Sequence, residues 1–138
     1  YRLTDGTLTL LDDSIPLPNG LAFSPDERKL YVADSGSARI YSFDVTGGLK
    51  NKRVFSELGE VDGPGAADGM KVDVEGNVFC TGPGGIHVLN PEGTRIGVIV
   101  CPEIPANIAW GGDDYRTLFI TARTGLYSVK VLTGRATP

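Results

Sequence analysis

Three side chains carrying oxygen donors stand at the head of three similar strings. Asn19 precedes Gly20-Leu21-Ala22-Phe23, Asp68 precedes Gly69-Met70-Lys71-Val72, and Asn107 precedes Ile108-Ala109-Trp110. A carboxylate, amide oxygens and water make a hard, oxygen-only environment, which suits Ca²⁺, Mg²⁺ or Mn²⁺ better than a thiolate-loving metal; the expected cofactor is one divalent cation, Ca²⁺ preferred, with Mg²⁺, Mn²⁺ or Zn²⁺ as alternatives. A divalent cation there would polarise a carbonyl group and hold water close to it. Asp68 would accept a proton from that water. Ligation lowers the basicity of a carboxylate, so the expected order of roles for Asp68 is ligand first and base second. The single His and the lack of a metal-spaced Cys pair argue against a structural zinc site. No G-x-S-x-G string is present, so serine-hydrolase chemistry has no support.

The elements that must position these groups are short strands. Leu21-Ala22-Phe23, a Ser24-Pro25-Asp26 turn and Leu30-Tyr31-Val32-Ala33 form a strand–turn–strand unit. The unit returns as Met70 to Val72 with Asn77 to Thr81, and again as Ile108 to Trp110 with Thr117 to Thr121. Strands are expected near 20–24, 29–34, 38–43 and 49–55, then 69–74, 77–81, 85–90 and 94–100, then 107–110, 117–121 and 125–131. Asp5-Gly6 marks a hairpin between residues 1–3 and 7–11, similar to a later hairpin around Pro91-Glu92-Gly93. No segment shows sustained helical periodicity.

Asn19, Asp68 and Asn107 are 49 and 39 positions apart. Four short strands per ~40–50 residues fit the blade of a β-propeller better than a sandwich. The expected fold is all-β, about three four-stranded blades of a six-bladed ring. Residues 1–11 end a preceding blade or supply a closing strand, 19–56 and 68–100 are blades, and 106–131 is an incomplete last blade. The three anchors would converge on the central channel at one mouth. The loops Ser35 to Ala38, Gly82 to Gly85 and Arg123 to Gly125 open on that mouth, so Ser35 and Arg123 are candidate substrate contacts beside Asn107.

Composition bounds the alternatives. Of 138 residues, 41% are hydrophobic and 22% charged, which describes an ordinary folded domain. The 19 glycines, about twice the usual ~7%, lie between strand-like runs and signal dense turns. A net charge of −4 argues against nucleic acid, which needs a clustered basic face. No apolar run reaches the ~18 residues of a membrane-spanning helix. Cys80 and Cys101 lack metal spacing and read as buried thiols rather than a disulfide. The compartment stays open, with a soluble cytoplasmic setting slightly favoured over the periplasm. The chain opens on Tyr1 rather than Met, which admits processing, trimming or a longer parent.

Pro18-Asn19-Gly20-Leu21-Ala22-Phe23-Ser24-Pro25-Asp26 with Leu30-Tyr31-Val32-Ala33-Asp34-Ser35, then Asp68-Gly69-Met70-Lys71-Val72-Asp73 with Glu75-Gly76-Asn77, then Ala109-Trp110-Gly111-Gly112 with Leu118-Phe119-Ile120-Thr121-Ala122, resemble the gluconolactonase and regucalcin family of six-bladed propellers. The resemblance implies a lactone hydrolase with one divalent cation at the channel mouth. It implies ligands like Asn19 and Asp68 together with a first-blade Glu, and a catalytic part for Asp68. The likeness is to the C-terminal half of such a protein, and nothing here matches the Glu. A small lactone is the expected substrate; a non-catalytic propeller module that binds or assembles is the alternative.

The plainer readings stand beside these. Asn19 before Gly20 and Asp68 before Gly69 also suit simple turns, and the repeat alignment is what favours ligands. Asn107 reads better as a channel-lining hydrogen-bonder. Asp26 and Asp73 read as turn stabilisers. His87, between Ile86 and Val88, has no nucleophile partner; Trp110, Phe79 and Phe119 read as core between blades; Glu57, Glu60 and Asp62 read as a solvated loop. Three blades do not close a ring, so a homodimer of two chains is expected to complete six, with residues 7–11 supplying the outer strand of the partner's last blade.

Overall fold

The computed structural model describes residues 1–59 and 61–135. Thirteen strands and no helix are found among them. β1 (Arg2–Thr4) and β2 (Thr7–Thr9) pair as a two-stranded hairpin. Asp5 and Gly6 in its turn both take positive φ, 48° and 75°, which is what a two-residue hairpin turn matched to strand twist requires.

Three antiparallel sheets follow. The first is β3 (Pro18–Phe23), β4 (Lys29–Asp34), β5 (Arg39–Asp44) and β6 (Lys50–Glu57), paired in chain order. The second is β7 (Met70–Val72), β8 (Val78–Gly82), β9 (Gly85–Leu89) and β10 (Arg95–Ile99). The third is β11 (Pro105–Gly111), β12 (Thr117–Ala122) and β13 (Leu126–Lys130). Each sheet is a meander, the construction of a propeller blade. The first inner strand begins earlier than its sequence suggested, and β7 is only three residues long.

Alternation along the strands sends one set of apolar side chains to each sheet face. Between the first two sheets lie Tyr31, Ala33 and Ile40 from one and Met70, Val72 and Cys80 from the other. Between the second and third lie Phe79 and Ile86 against Ile108, Leu118 and Ile120. Phe79 and Trp110 meet edge to face there, with centroids 5.1 Å apart. Phe119 differs from its expected place in the core and is exposed. A third cluster forms on the open face of the first sheet, where Ile15 folds onto Leu30 and Phe43. Lys52 staples that segment, donating to Ser14 Oγ at 2.7 Å and lying 3.7 Å from Asp12.

Reverse turns are held by carboxylates. Asp73 is fully buried and its Oδ1 accepts from Glu75 N and Asn77 N at 2.9 and 2.8 Å. Asp26 accepts from Ser24 Oγ at 2.6 Å and Arg28 N at 3.1 Å. Glu57 closes β6 rather than sitting in a loop, and its Oε1 takes Nε and Nη2 of Arg39 at 3.0 and 2.9 Å. Asp62 is an exposed loop residue; Glu60 lies outside the described residues. Both cysteines are free thiols, Cys80 buried and Cys101 partly so. Burial pushes the Cys80 thiol up to about 12.

His87, on β9, is fully buried, and its Nε2 donates to the Pro83 carbonyl at 2.9 Å. Nδ1 has no partner. Burial depresses the imidazole pKa; the Pro83 bond opposes this and the Arg95 charge adds to it. The folded state therefore favours neutral His87, while the unfolded chain takes a proton near the usual ~6.5. Stability from this group is complete above that value and falls as pH drops below it, by at most about 1.4 kcal/mol per pH unit. Denaturant titrations from pH 8 to 5 should show that decline, and His87→Gln should flatten it; an unchanged profile would refute the assignment.

Candidate functional site

The inner strands of the three sheets all begin with the same irregularity. In the first sheet Pro18 faces Asp34 and Leu21 faces Val32, so Asn19 and Gly20 together stand opposite Ala33. In the second, Asp68 N donates to the Thr81 carbonyl at 3.3 Å and Thr81 N donates to the Gly69 carbonyl at 3.0 Å. Asp68 and Gly69 thus share Thr81 as their opposite number. In the third, Pro105 faces Ala122 and Asn107 faces Thr121, leaving Ala106 as the extra residue. Each inner strand therefore opens on a β-bulge, a device that re-aims a side chain out of the pleat.

This register corrects one expectation. Asn19 and Asp68 occupy the bulge position in their blades, but Ala106, not Asn107, occupies it in the third. Asn107 stands where Gly20 and Gly69 stand. The apolar pattern agrees: Leu21, Met70 and Ile108 face Val32, Cys80 and Ile120. Aligning the strings on their polar residue slips the third copy by one, and a one-residue slip exchanges the two faces of a strand.

The glycines explain how the strands meet. A Cβ at Gly20 would collide with the Asp68 carbonyl, whose carbon would be 2.9 Å away. A Cβ at Gly69 would strike Asn107, with its Cα at 2.6 Å. Gly69 N donates to the Ala106 carbonyl at 2.9 Å, joining the second and third inner strands directly. Absence of side chains at these positions lets adjacent inner strands touch backbone to backbone. As a result the residue before Gly20 and the residue before Gly69 stand at the same end of neighbouring inner strands.

Asn19 is oriented by the neighbouring loop. Its Nδ2 donates to Ser35 Oγ at 3.1 Å, and Ser35 Oγ donates to the Ala67 carbonyl at 2.6 Å. One hydroxyl thereby ties Asn19 to the residue preceding Asp68. Ser35 is itself fixed, because its N–H donates to the Leu17 carbonyl at 3.0 Å. Behind it, fully buried Asp34 accepts from Leu17 N, Gly36 N and Ser37 Oγ at 3.2, 3.0 and 2.7 Å. Burial alone would raise the Asp34 pKa; these bonds outweigh it and hold the carboxyl below its ordinary value.

With Nδ2 engaged, Asn19 Oδ1 is left to point elsewhere, and neither it nor the half-buried Asp68 carboxylate has a hydrogen-bond partner among the described residues. One amide oxygen and one carboxylate without protein partners fit a hard divalent cation, as two of its ligands. Asn107 is differently engaged: its Oδ1 accepts from its own Ile108 N at 2.8 Å. Arg123 is exposed and lines a cavity of about 290 Å³ with Pro64, Gly84 and Glu103, whose lining includes neither Asn19 nor Asp68. Glu103, which sequence reasoning missed, holds that turn by accepting from Thr124 N at 3.1 Å and Gly125 N at 3.0 Å. No sequence pattern marks it. Missed too was the Ala67 carbonyl, since a backbone acceptor leaves no trace in residue type.

A cavity of about 630 Å³ lies at the opposite end of the strands, among Ser24, Asp26, Lys29, Glu75 and Pro91. It is an open groove between reverse turns and holds none of the candidate side chains. The bulge residues, not the volume, locate the site.

Comparison with known proteins follows the same lines. The profile described as SMP-30/Gluconolactonase/LRE-like region matches residues 1–124. A gluconolactonase of Zymomonas mobilis is 38% identical over 144 residues, covering 96% of this chain and 40% of that protein. A gluconolactonase structure from Xanthomonas campestris superposes with a TM-score of 0.73 at 34% identity, covering 82% of this chain and 37% of that one. A structure from Agrobacterium tumefaciens described as a calcium-binding protein, regucalcin, gives a TM-score of 0.75 at 26% identity, covering 86% and 42%. The chain spans about two fifths of the length of these proteins.

The close approach at Gly20 yields a paired expectation. Gly20→Ala forces the two inner strands apart and should cost about 1–3 kcal/mol in chemical denaturation. Gly97→Ala, which meets nothing within 4 Å, should stay within about 0.5 kcal/mol of the parent. Equal effects at the two positions would overturn the strand-contact account.

Proposed function

Since the chain belongs to the SMP-30/gluconolactonase/LRE-like family of β-propellers, we propose that it takes part in metal-dependent hydrolysis of a sugar or other small lactone, with Asn19 and Asp68 as cation ligands. The observation that carries this reading is the pair of bulge residues on adjacent inner strands that meet at Gly20, both bearing oxygen donors without partners among the described residues. The gluconolactonase relative supports the lactone class, and the regucalcin neighbour described as calcium-binding supports a divalent cation, Ca²⁺ before Mg²⁺, Mn²⁺ or Zn²⁺.

In the reaction, water adds to the lactone carbonyl carbon, the ring C–O bond breaks, and the ring oxygen leaves as a hydroxyl with a proton. A bound cation supplies polarisation of the carbonyl and a held water. Asp68 contributes a carboxylate two residues before the short, buried β7, with its backbone N–H held by the Thr81 carbonyl, so its position is set before substrate arrives. On this reading it takes the proton from water, within the limit that ligation makes it a weaker base. Asn19 contributes an amide oxygen whose direction Ser35 fixes. Asn107 and Arg123 belong to the rim on this reading, as contacts for the hydroxyl groups of the substrate.

A second reading has a specific observation behind it. Among the described residues no three His, Cys, Asp or Glu side chains converge, and two ligands fall short of the 6–8 oxygens Ca²⁺ takes. A module that binds a cation or a lactone without turnover has the same two residues and lacks the remainder.

One set of measurements separates these. Calorimetric titration with Ca²⁺ and Mn²⁺, and pH-stat assay of glucono-1,5-lactone with and without chelator, should show binding and chelator-sensitive hydrolysis. Asp68→Ala should abolish binding and lower hydrolysis about 100-fold or more, whereas Glu92→Gln on the exposed β9–β10 turn should change neither. Binding without hydrolysis selects the second reading. Asp68→Ala titrating like the parent removes the site.

A further inference from the structure

A second set of unpaired polar groups lies at the end of the strands opposite Asn19 and Asp68. It lines the groove of about 630 Å³ between the first two sheets, a size ordinary for a small-molecule site. The turns around Pro25 and Thr46 form one wall, and Val74 to Gly76 with Pro91 form the other.

Tyr31 lines this groove although it is only 2% exposed. Its ring lies against Phe55, with centroids 4.7 Å apart. That contact needs no hydroxyl. The hydroxyl itself has no hydrogen-bond partner among the described residues. Leaving a buried hydroxyl unpaired costs free energy, which a bound acceptor restores. Burial raises the phenol pKa; the Asp26 charge adds to this, Arg53 opposes it and Glu92 adds again, so the group is a donor at neutral pH.

Two cations beside it are in the same condition. The register sets Lys29 opposite Asp44 and Asp44 opposite Lys50, a row across three strands on the face that carries Tyr31. Neither ammonium group has an ion pair or hydrogen bond among the described residues. Asp44 does not satisfy them: its Oδ2 accepts from Asn51 Nδ2 at 2.8 Å, and its Oδ1 is left over. Across the groove, Glu75 Oε2 accepts from Asn77 Nδ2 at 3.3 Å, and its Oε1 is left over too. The remaining charges, Arg28 and Asp26, answer each other at 3.9 Å. The groove therefore offers three donors without acceptors and two carboxylate oxygens without donors.

We propose that this groove is a second binding site, for a small polyhydroxylated carboxylate, a sugar acid. The ligand's carboxylate accepts from Lys29, Lys50 and the Tyr31 hydroxyl, and its hydroxyl groups donate to the free oxygens of Asp44 and Glu75. A neutral sugar satisfies the two carboxylates and leaves the ammonium groups; an inorganic anion does the reverse. A sugar acid answers both. Ring opening of a sugar lactone releases such a compound, so on the lactonase reading the groove holds product, apart from the bulge residues. That identification rests on the lactonase reading, whereas the site rests on the groove residues alone.

Calorimetric titration of the full chain with gluconate, glucose and inorganic phosphate, in metal-free buffer at neutral pH, tests the site. Gluconate is expected to bind saturably, and glucose and phosphate about tenfold more weakly or less. Tyr31→Phe removes a hydroxyl that has no partner among the described residues, so stability in denaturant should hold or rise while gluconate binding weakens about tenfold. Lys29→Met should weaken it about as much. Asp68→Ala should retain gluconate binding, so loss of lactone hydrolysis and loss of this site are distinguishable. No saturable gluconate binding, equal binding of glucose or phosphate, or binding indifferent to both Tyr31→Phe and Lys29→Met would overturn the proposal.

Discussion

The structure depends on how closely two inner strands can approach. Gly20 lies against the Asp68 carbonyl and Gly69 lies against Asn107, distances that leave no room for a Cβ. Everything at the mouth follows from that approach. The bulge residues preceding the two glycines start adjacent inner strands, and the loop after β4 comes close enough for Ser35 to bridge Asn19 and the Ala67 carbonyl. Had Gly20 carried a side chain, the first two inner strands would separate and the two oxygen donors with them.

Packing further out makes that approach stable. Tyr31, Ile40 and Met70 in one seam and Phe79, Ile108 and Leu118 in the next are removed from water, each worth about 1.5–3 kcal/mol in transfer terms. Buried carboxylates do complementary work in the loops. Asp34 and Asp73 satisfy backbone N–H groups that tight turns leave unpaired, so the turns that frame the blades are rigid although they contain little apolar surface. The side chains at the mouth are consequently mounted on fixed elements, which is what a binding site needs if its geometry is to precede its ligand.

Much of this was legible in the residues. Strand alternation, Gly-containing turns and the recurrence of one unit gave all-β blades, and Asn19 and Asp68 stood out because each precedes a glycine that precedes an apolar strand. The third copy was misaligned because a polar residue was taken as the marker, whereas the quantity that repeats is the small residue at the strand contact and the apolar side chain after it. Asn107 fills the glycine position, so residue type pointed one way and side-chain period the other. Glu103 and the Ala67 carbonyl were invisible for a different reason: their roles are set by long-range placement. Phe119 was read as core from its type, which is sound for its blade position, but burial also needs a neighbour.

The bulge separates two inheritances that most sites combine. In the first two copies of the unit, one position has no room for a Cβ, while the side chain of the residue just upstream meets no such limit. The constrained position hardly varies in size in the first two copies, while the position before it holds Asn, then Asp, then Ala. A repeat built this way can change its chemistry one blade at a time with no renegotiation of the architecture. The channel of such a protein is a ring of independently editable letters, and a new specificity can arise by rewriting a single one.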